Sequence, residues 1–294
     1  MKSDAVFFLG VLVFFFAAWL YSGGPNRPIS FAGPYITPIT DVDTNQQGYG
    51  DGGSFWGDIT NIGNGLTGLQ GTNDPSPLRG EVRVSGVNNA GTTDPDLEYV
   101  TIQNTGTAPI DITGWRLVSG ASGKSGRIPE GAALPRSGRV NPTDRIVLQP
   151  GDTALVVTGE SPLGVSFKEN RCIGYLSRNQ KYQPALPLTC PLASEEFAQH
   201  YTGNELRDDT CYYRMQSTPS CTTPSRSGVS SRCEDLIDEY LTYNGCVEHH
   251  RSDANFVGNT WRIYLDENRE LWKPTRDSVK LLDASGKTVD LYTY

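Results

Sequence analysis

The sequence predicts a mainly-β protein: a β-sandwich interrupted by a disulfide-stapled helical insertion and preceded by an N-terminal transmembrane helix. Three observations predict it. From Gly80 onward, short β-branched and aromatic runs alternate with turn residues. All six cysteines fall between Cys172 and Cys246. An uncharged apolar run fills Ala5 to Tyr21.

The apolar run, AVFFLGVLVFFFAAWLY, has about 17 residues, the short end of a membrane span. Lys2 and the α-amine precede it, a bias that keeps the N-terminus cytoplasmic and sends the body outward. Trp19 and Tyr21 stand where an aromatic belt meets the headgroups. A cleaved signal peptide is the alternative, but Asp4 weakens the n-region and no clean small-residue cleavage site follows. The expectation is an uncleaved signal anchor: residues 1–4 cytoplasmic, 5–21 in the membrane, and the body extracytoplasmic. The net charge of -8 and pI near 5.0 argue against nucleic acid as a partner, because phosphate recognition needs clustered Lys and Arg.

Residues 22–79 are rich in Gly, Pro, Asn and Thr and read as a linker. A flexible chain of about 58 residues reaches roughly 40–45 Å. Phe31, Tyr35, Ile36 and Ile39, then Phe55, Trp56, Ile59 and Ile62, form two apolar clusters uncommon in a passive tether. Asp41-Val-Asp43-Thr-Asn45 has the alternating oxygen donors of a calcium loop. However, Gln46 stands where an EF-hand needs glycine and Gly52 where it needs glutamate, so an ordinary polar turn is expected.

The body is expected to span 80–294. Glu81–Val84, Glu98–Gln103, Ile110–Ile112, Trp115–Val118, Arg145–Leu148 and Ala154–Val157 read as strands. Asn104-Thr-Gly106, Thr113-Gly114 and Gln149-Pro-Gly-Asp152 read as turns between them. Ser278–Leu282 and Thr288–Tyr292 flank Asp283-Ala-Ser-Gly286 as a hairpin. Short strands at regular turn spacing predict a sandwich.

Four fragments in this order resemble the bacterial lamin-tail domain family: Tyr99-Val-Thr-Ile-Gln-Asn104; Pro109-Ile-Asp-Ile-Thr-Gly-Trp115; Leu148-Gln-Pro-Gly-Asp152 with Ala154–Val157; and Asp277–Asp283 with Gly286 and Val289-Asp290. The resemblance covers roughly residues 80–165 and 256–294. It implies an immunoglobulin-like sandwich with Trp115 in its core. It also implies a generally non-catalytic domain, found on exported and envelope proteins, with poorly defined ligands.

Residues 166–255 break the strand pattern and form the expected insertion. A short helix is expected from Ser194-Glu-Glu-Phe197 with a stop at Gly203. A better one opens on Ser231-Arg-Cys-Glu234, a capping box, and ends at Asn244-Gly245. Cys233, Leu236, Ile237, Tyr240 and Leu241 make its apolar stripe, and Glu234, Asp235, Asp238 and Glu239 its solvated face. Cys172, Cys190, Cys211, Cys221, Cys233 and Cys246 are an even set in a chain with an export signal, which predicts disulfides whose pairing the spacing leaves open. Zinc is the competing reading, but no C-x-x-C is present. The insertion reads as a helical cap on one end of the sandwich. Its small core would be offset by bridges worth about 2–4 kcal/mol each.

Catalytic signatures are missing. Gly120-Ala-Ser-Gly-Lys124-Ser125 lacks the first glycine of a phosphate loop, Val118 standing in its place. No G-x-S-x-G occurs, and His249-His250 read as exposed polar residues after a helix. Trp261-Arg-Ile-Tyr264 and Trp272 read as a returning strand and core. No catalytic, cofactor or metal residue is expected. The expected function is a non-enzymatic envelope binding or structural module, with an envelope protein, a glycan or its own copies as partner. The alternatives are an unrecognised hydrolase or nuclease, and a subunit of a surface assembly.

Overall fold

The chain divides into two compact units, Met1–Asn64 and Gly65–Tyr294. The computed structural model describes residues 75–202 and 207–294, with Val13, Phe14 and Phe16 in a helical stretch. The rest of the apolar run, the calcium-like segment, both linker clusters and Gly203 lie outside the described residues. Among the described residues no helix is long and apolar enough to cross a membrane.

The second unit is mainly β. Its strands are β1 Val82–Asn88, β2 Tyr99–Asn104, β3 Ile110–Asp111, β4 Arg116–Ser119, β5 Ser125–Arg127, β6 Gly131–Ala132, β7 Val147–Leu148, β8 Thr153–Val157, β9 Ser166–Asn170, β10 Val257–Tyr264, β11 Ser278–Leu282 and β12 Thr288–Thr293. They form a six-stranded sheet, β1-β2-β8-β10-β9-β6, a four-stranded sheet, β12-β11-β4-β5, and the pair β3-β7. This is an immunoglobulin-like sandwich. β10 is parallel to β8 and antiparallel to β9, so the chain leaves the sheet from β9 and returns between β8 and β9.

Alternation decides which side chains meet between the sheets. Val100 and Ile102 of β2, Ala154 and Val156 of β8, and Trp261 and Ile263 of β10 point inward against Leu117, Val279, Leu281 and Val289. Trp115 and Trp272 are buried in the same core.

Buried polar groups fix the turns. The Asn104 amide donates to the Ala108 and Leu148 carbonyls, both at 2.9 Å, and its oxygen accepts the Gly106 N–H at 2.9 Å. Glu98, fully buried, accepts the Thr158 hydroxyl and the Leu271 and Trp272 N–H groups, at 2.8, 2.8 and 3.0 Å. Its carboxyl is pushed up by burial, which outweighs these hydrogen bonds. Asp277 ties the β4–β5 turn to β11. It accepts Ser119 Oγ and the N–H groups of Ala121, Lys273 and Ser278, at 2.8, 2.9, 2.9 and 2.7 Å. Burial pushes the Asp277 carboxyl up, but the four donors together hold it below the usual carboxylate range.

The structure differs from the sequence expectation at both margins of the sandwich. The body begins before residue 80: Pro75 bridges Thr288, and the Ser76 N–H donates to the Thr288 carbonyl at 2.8 Å. Pro75 and Ser76 look like linker, and only the distant β12 reveals their place. The excursion begins at 171 rather than 166, because Ser166–Asn170 is β9. Its buried positions carry polar side chains with partners elsewhere, which hides the strand period. Ser166 Oγ accepts the Tyr264 N–H at 3.0 Å, and the Asn170 amide donates to Tyr243 Oη at 3.1 Å.

An Asp277→Asn variant places an NH₂ against backbone donors and is expected to lose about 1–3 kcal/mol in urea unfolding near neutral pH. Folding lowers this pKa, so the stabilisation is present above the ordinary aspartate range and is lost as pH falls through the folded value. The gap between wild type and variant should therefore narrow only as pH falls below the ordinary aspartate range; a gap that does not change with pH would refute the carboxylate assignment.

Candidate functional site

The excursion contains a 3-10 helix, Ile173–Arg178, and the helices α1 Ala193–His200, α2 Asp209–Gln216, α3 Ser231–Tyr240 and α4 Tyr243–His250. Each of the last three starts on a capping side chain. Asp208 Oδ1 accepts the Cys211 N–H, Ser230 Oγ the Cys233 N–H, and Thr242 Oγ1 the Gly245 N–H. The cap of α3 is thus Ser230, one residue before the expected Ser231. Asn244-Gly245 does not end this helix. Leu241 does, and Thr242 at once nucleates α4.

The cysteines pair Cys172–Cys246, Cys190–Cys221 and Cys211–Cys233. The first joins the exit from β9 to α4, and the third joins α2 to α3. The helices have their own core, in which Phe197, Met215, Leu236 and Ile237 pack around the Cys211–Cys233 bridge.

The insertion does not cap an end of the sandwich; it covers the outer face of the six-stranded sheet. Tyr264 of β10, Phe167 of β9 and Val157 of β8 point away from the sandwich core and pack with Ile173, Tyr182, Phe256 and the Cys172–Cys246 bridge. Residues Trp261–Tyr264 are consequently buried on both faces of the strand. Tyr243 closes the junction by donating to the Pro135 carbonyl at 2.9 Å, and burial pushes its hydroxyl up to about 12.

At the centre of this junction stands Arg262, 1% exposed. Its Nε donates to Glu169 Oε1 at 2.5 Å, and its two terminal nitrogens donate to the Pro184 and Ala185 carbonyls. Pro184 and Ala185 belong to the insertion, so a side chain of the sheet holds the excursion by its backbone.

Three recesses border the junction. One, of about 410 Å³, is lined by Glu130, Glu160 and Asp266 beside Thr143, Ser161 and Tyr264. A second, of about 290 Å³, lies between Tyr175, Arg178, Thr242 and Asn244. A third, of about 470 Å³, lies between Arg171, Thr189, Asn255 and Asn259. None of them is lined by a histidine. Among the described residues no group of three His, Cys, Asp or Glu side chains is arranged to hold a metal ion.

The chain's three histidines meet in the insertion instead. His250 lies inside α4, largely buried, rather than exposed after a helix. Its ring bridges Glu196 of α1 and Asp253. Tyr240 of α3 lies between the rings of His200 and His249, at centroid distances of 4.0 and 4.2 Å. Glu196, Asp253, Glu169 and Arg262 escaped the sequence reading. For Arg262 the one available signal was a lone charge inside an otherwise strand-like run; Glu169 lies in the polar segment that hides β9.

Residues 75–191 match the lamin tail domain. The match starts at the observed edge of the sandwich, covers less than half of the chain and stops just after Cys190. No curated protein matches the chain. The lamin tail domain is an immunoglobulin-like binding and structural family, in keeping with the sandwich described above. The matched segment ends before α1, so the helices lie beyond it.

Arg262→Met would leave Glu169 buried without its partner and is expected to cost about 3–5 kcal/mol by chemical denaturation. The double variant Arg262→Met, Glu169→Leu should recover much of that loss. If the single variant were as stable as wild type, Arg262 would not be the peg described above.

Proposed function

We propose that the chain is a non-enzymatic cell-envelope module, held at the outer face of a membrane by its N-terminal apolar run, that recognises a partner through the helical insertion. The observation that carries the proposal is the combination of rigidity and exposure in that insertion. Three disulfides cross-link the insertion internally and the Arg262 peg holds it on the sheet, while Tyr212 and Tyr213 of α2 stand 42% and 69% exposed. Tyrosine gives large contact area at low conformational cost, and rigid scaffolds commonly carry recognition on their insertions. Leu188 and Leu192, on the approach to α1, are exposed as well.

The disulfides support an oxidising compartment, and the apolar run supports attachment to a membrane. The family match supports a binding or structural role over catalysis. The acidic recess is the best place for the alternative hydrolase. Its glutamates Glu130 and Glu160 are solvent-exposed, and all three histidines lie elsewhere.

The test is photo-crosslinking on intact envelopes, with the reactive residue at Tyr213 or, as a control, at the fully exposed Val140 of the β6–β7 loop. A discrete product from position 213 alone, lost on Tyr212→Ser, is expected. Identical products from both positions, or none from 213, would move the recognition surface off the insertion.

A further inference from the structure

We propose that the insertion contains a proton-operated latch: His250 joins α1 to α4 as an imidazolium, and α1 loosens when that proton is lost. His250 Nδ1 lies 2.8 Å from Asp253 Oδ2, and Nε2 lies 3.0 Å from Glu196 Oε1. A carboxylate only accepts, and a neutral imidazole has one N–H. The neutral ring would therefore turn a bare nitrogen lone pair toward one of the two carboxylates. The imidazolium donates to both.

Burial gives this arrangement its weight. Glu196 is 1% exposed, and its Oε2 receives no hydrogen bond. His200 Nε2, one turn along α1, stands 3.4 Å from that oxygen as a charge partner. A carboxylate so buried is costly unless cations compensate it. Every element around it contributes a titratable or charged group. α1 supplies His200. α4 supplies His250 and His249, the latter 3.3 Å from Glu239 of α3. α3 also supplies Tyr240, between two imidazoles, and Arg232, over the Tyr201 ring. The 3-10 helix supplies Tyr175, whose hydroxyl is pushed up by burial and then by the Glu196 charge. The turn after α4 supplies Asp253, with Arg171 at 3.5 Å. Basic and acidic side chains alternate along Arg171, Asp253, His250, Glu196 and His200.

The latch acts on the helix most able to respond. Helices α2, α3 and α4 contain Cys211, Cys233 and Cys246, each bridged; α1 contains no cysteine. Its hold on the neighbouring helices combines the packing of Ala193 and Phe197, the stacking of His200 on Tyr240 and this chain of charges. Loss of that proton leaves a lone pair facing a carboxylate, so the latch holds in acid and releases as pH rises. This inference stands independently of what the insertion binds.

The test uses the purified full chain, treated with a chelator, and two readouts. Ring ¹⁵N–¹H spectra are expected to show His250 with both nitrogens protonated near neutral pH. Amide hydrogen exchange across 193–200, corrected for intrinsic rate, should accelerate by up to roughly tenfold per pH unit on the alkaline side, the limit for release of one proton. Amides of α3 should not follow. In Asp253→Asn the amide can donate to a neutral Nδ1, so the helix should persist and the profile flatten. A neutral single-tautomer ring in wild type at the same pH would overturn the proposal, as would an unchanged slope in Asp253→Asn. The wild-type spectra decide the matter if that variant fails to fold.

Discussion

Arg262 leaves β10 on the side away from the sandwich core and ends among Glu169 and two carbonyls of the insertion. A buried guanidinium is costly unless its N–H groups are satisfied, so the peptide at Pro184–Ala185 must come to it. That constraint orients the first part of the excursion on the sheet. It also explains why β9 carries a glutamate at a buried position and why the end of β10 has no solvent face. The outer surface of the six-stranded sheet, which would otherwise be wet, becomes a second core.

The topology makes such a junction necessary. β10 enters the sheet between β8 and β9 only after the excursion of residues 171–256 is complete. The central part of the sheet is therefore assembled from segments far apart in the chain, and closing so long a loop costs entropy. Cys172–Cys246 spans the base of the excursion, and Arg171 N–H donates to the Phe256 carbonyl at 2.8 Å beside it. The bridge and the hydrogen bond hold exit and return together, while the helices beyond them build a smaller core around Cys211–Cys233. Three cores in series divide the work: the sandwich supplies rigidity, the junction orientation, and the helices an outward surface.

The lamin tail domain match covers the sandwich strands as far as β9 and the first part of the excursion, through Cys190. The matched segment contains the strands that build most of the larger sheet, and the helices stand beyond it. Recognition by the insertion would use helices α1 to α4, beyond the matched segment, and the histidine cluster lies among them. A proton-sensitive α1 would sit beside the exposed tyrosines of α2, since Phe197 and Tyr212 pack at 5.9 Å.

Local chemistry was legible wherever one segment decides it. The period of β2 and β8, the Asn104 turn, the β11–β12 hairpin and the apolar stripe of α3 can be read directly, because alternation and turn propensity are properties of neighbouring residues. The even cysteine count established disulfides in the same way. The pairing, the place of the insertion on a sheet face, the strand at Ser166 and the meeting of His200, His249 and His250 required the tertiary structure. Each depends on partners that are far away in sequence. Ser166–Asn170 looks polar until Tyr243, Arg262 and Tyr264 arrive to use its side chains, and Glu196 looks like one acid among several until folding buries it against two imidazoles.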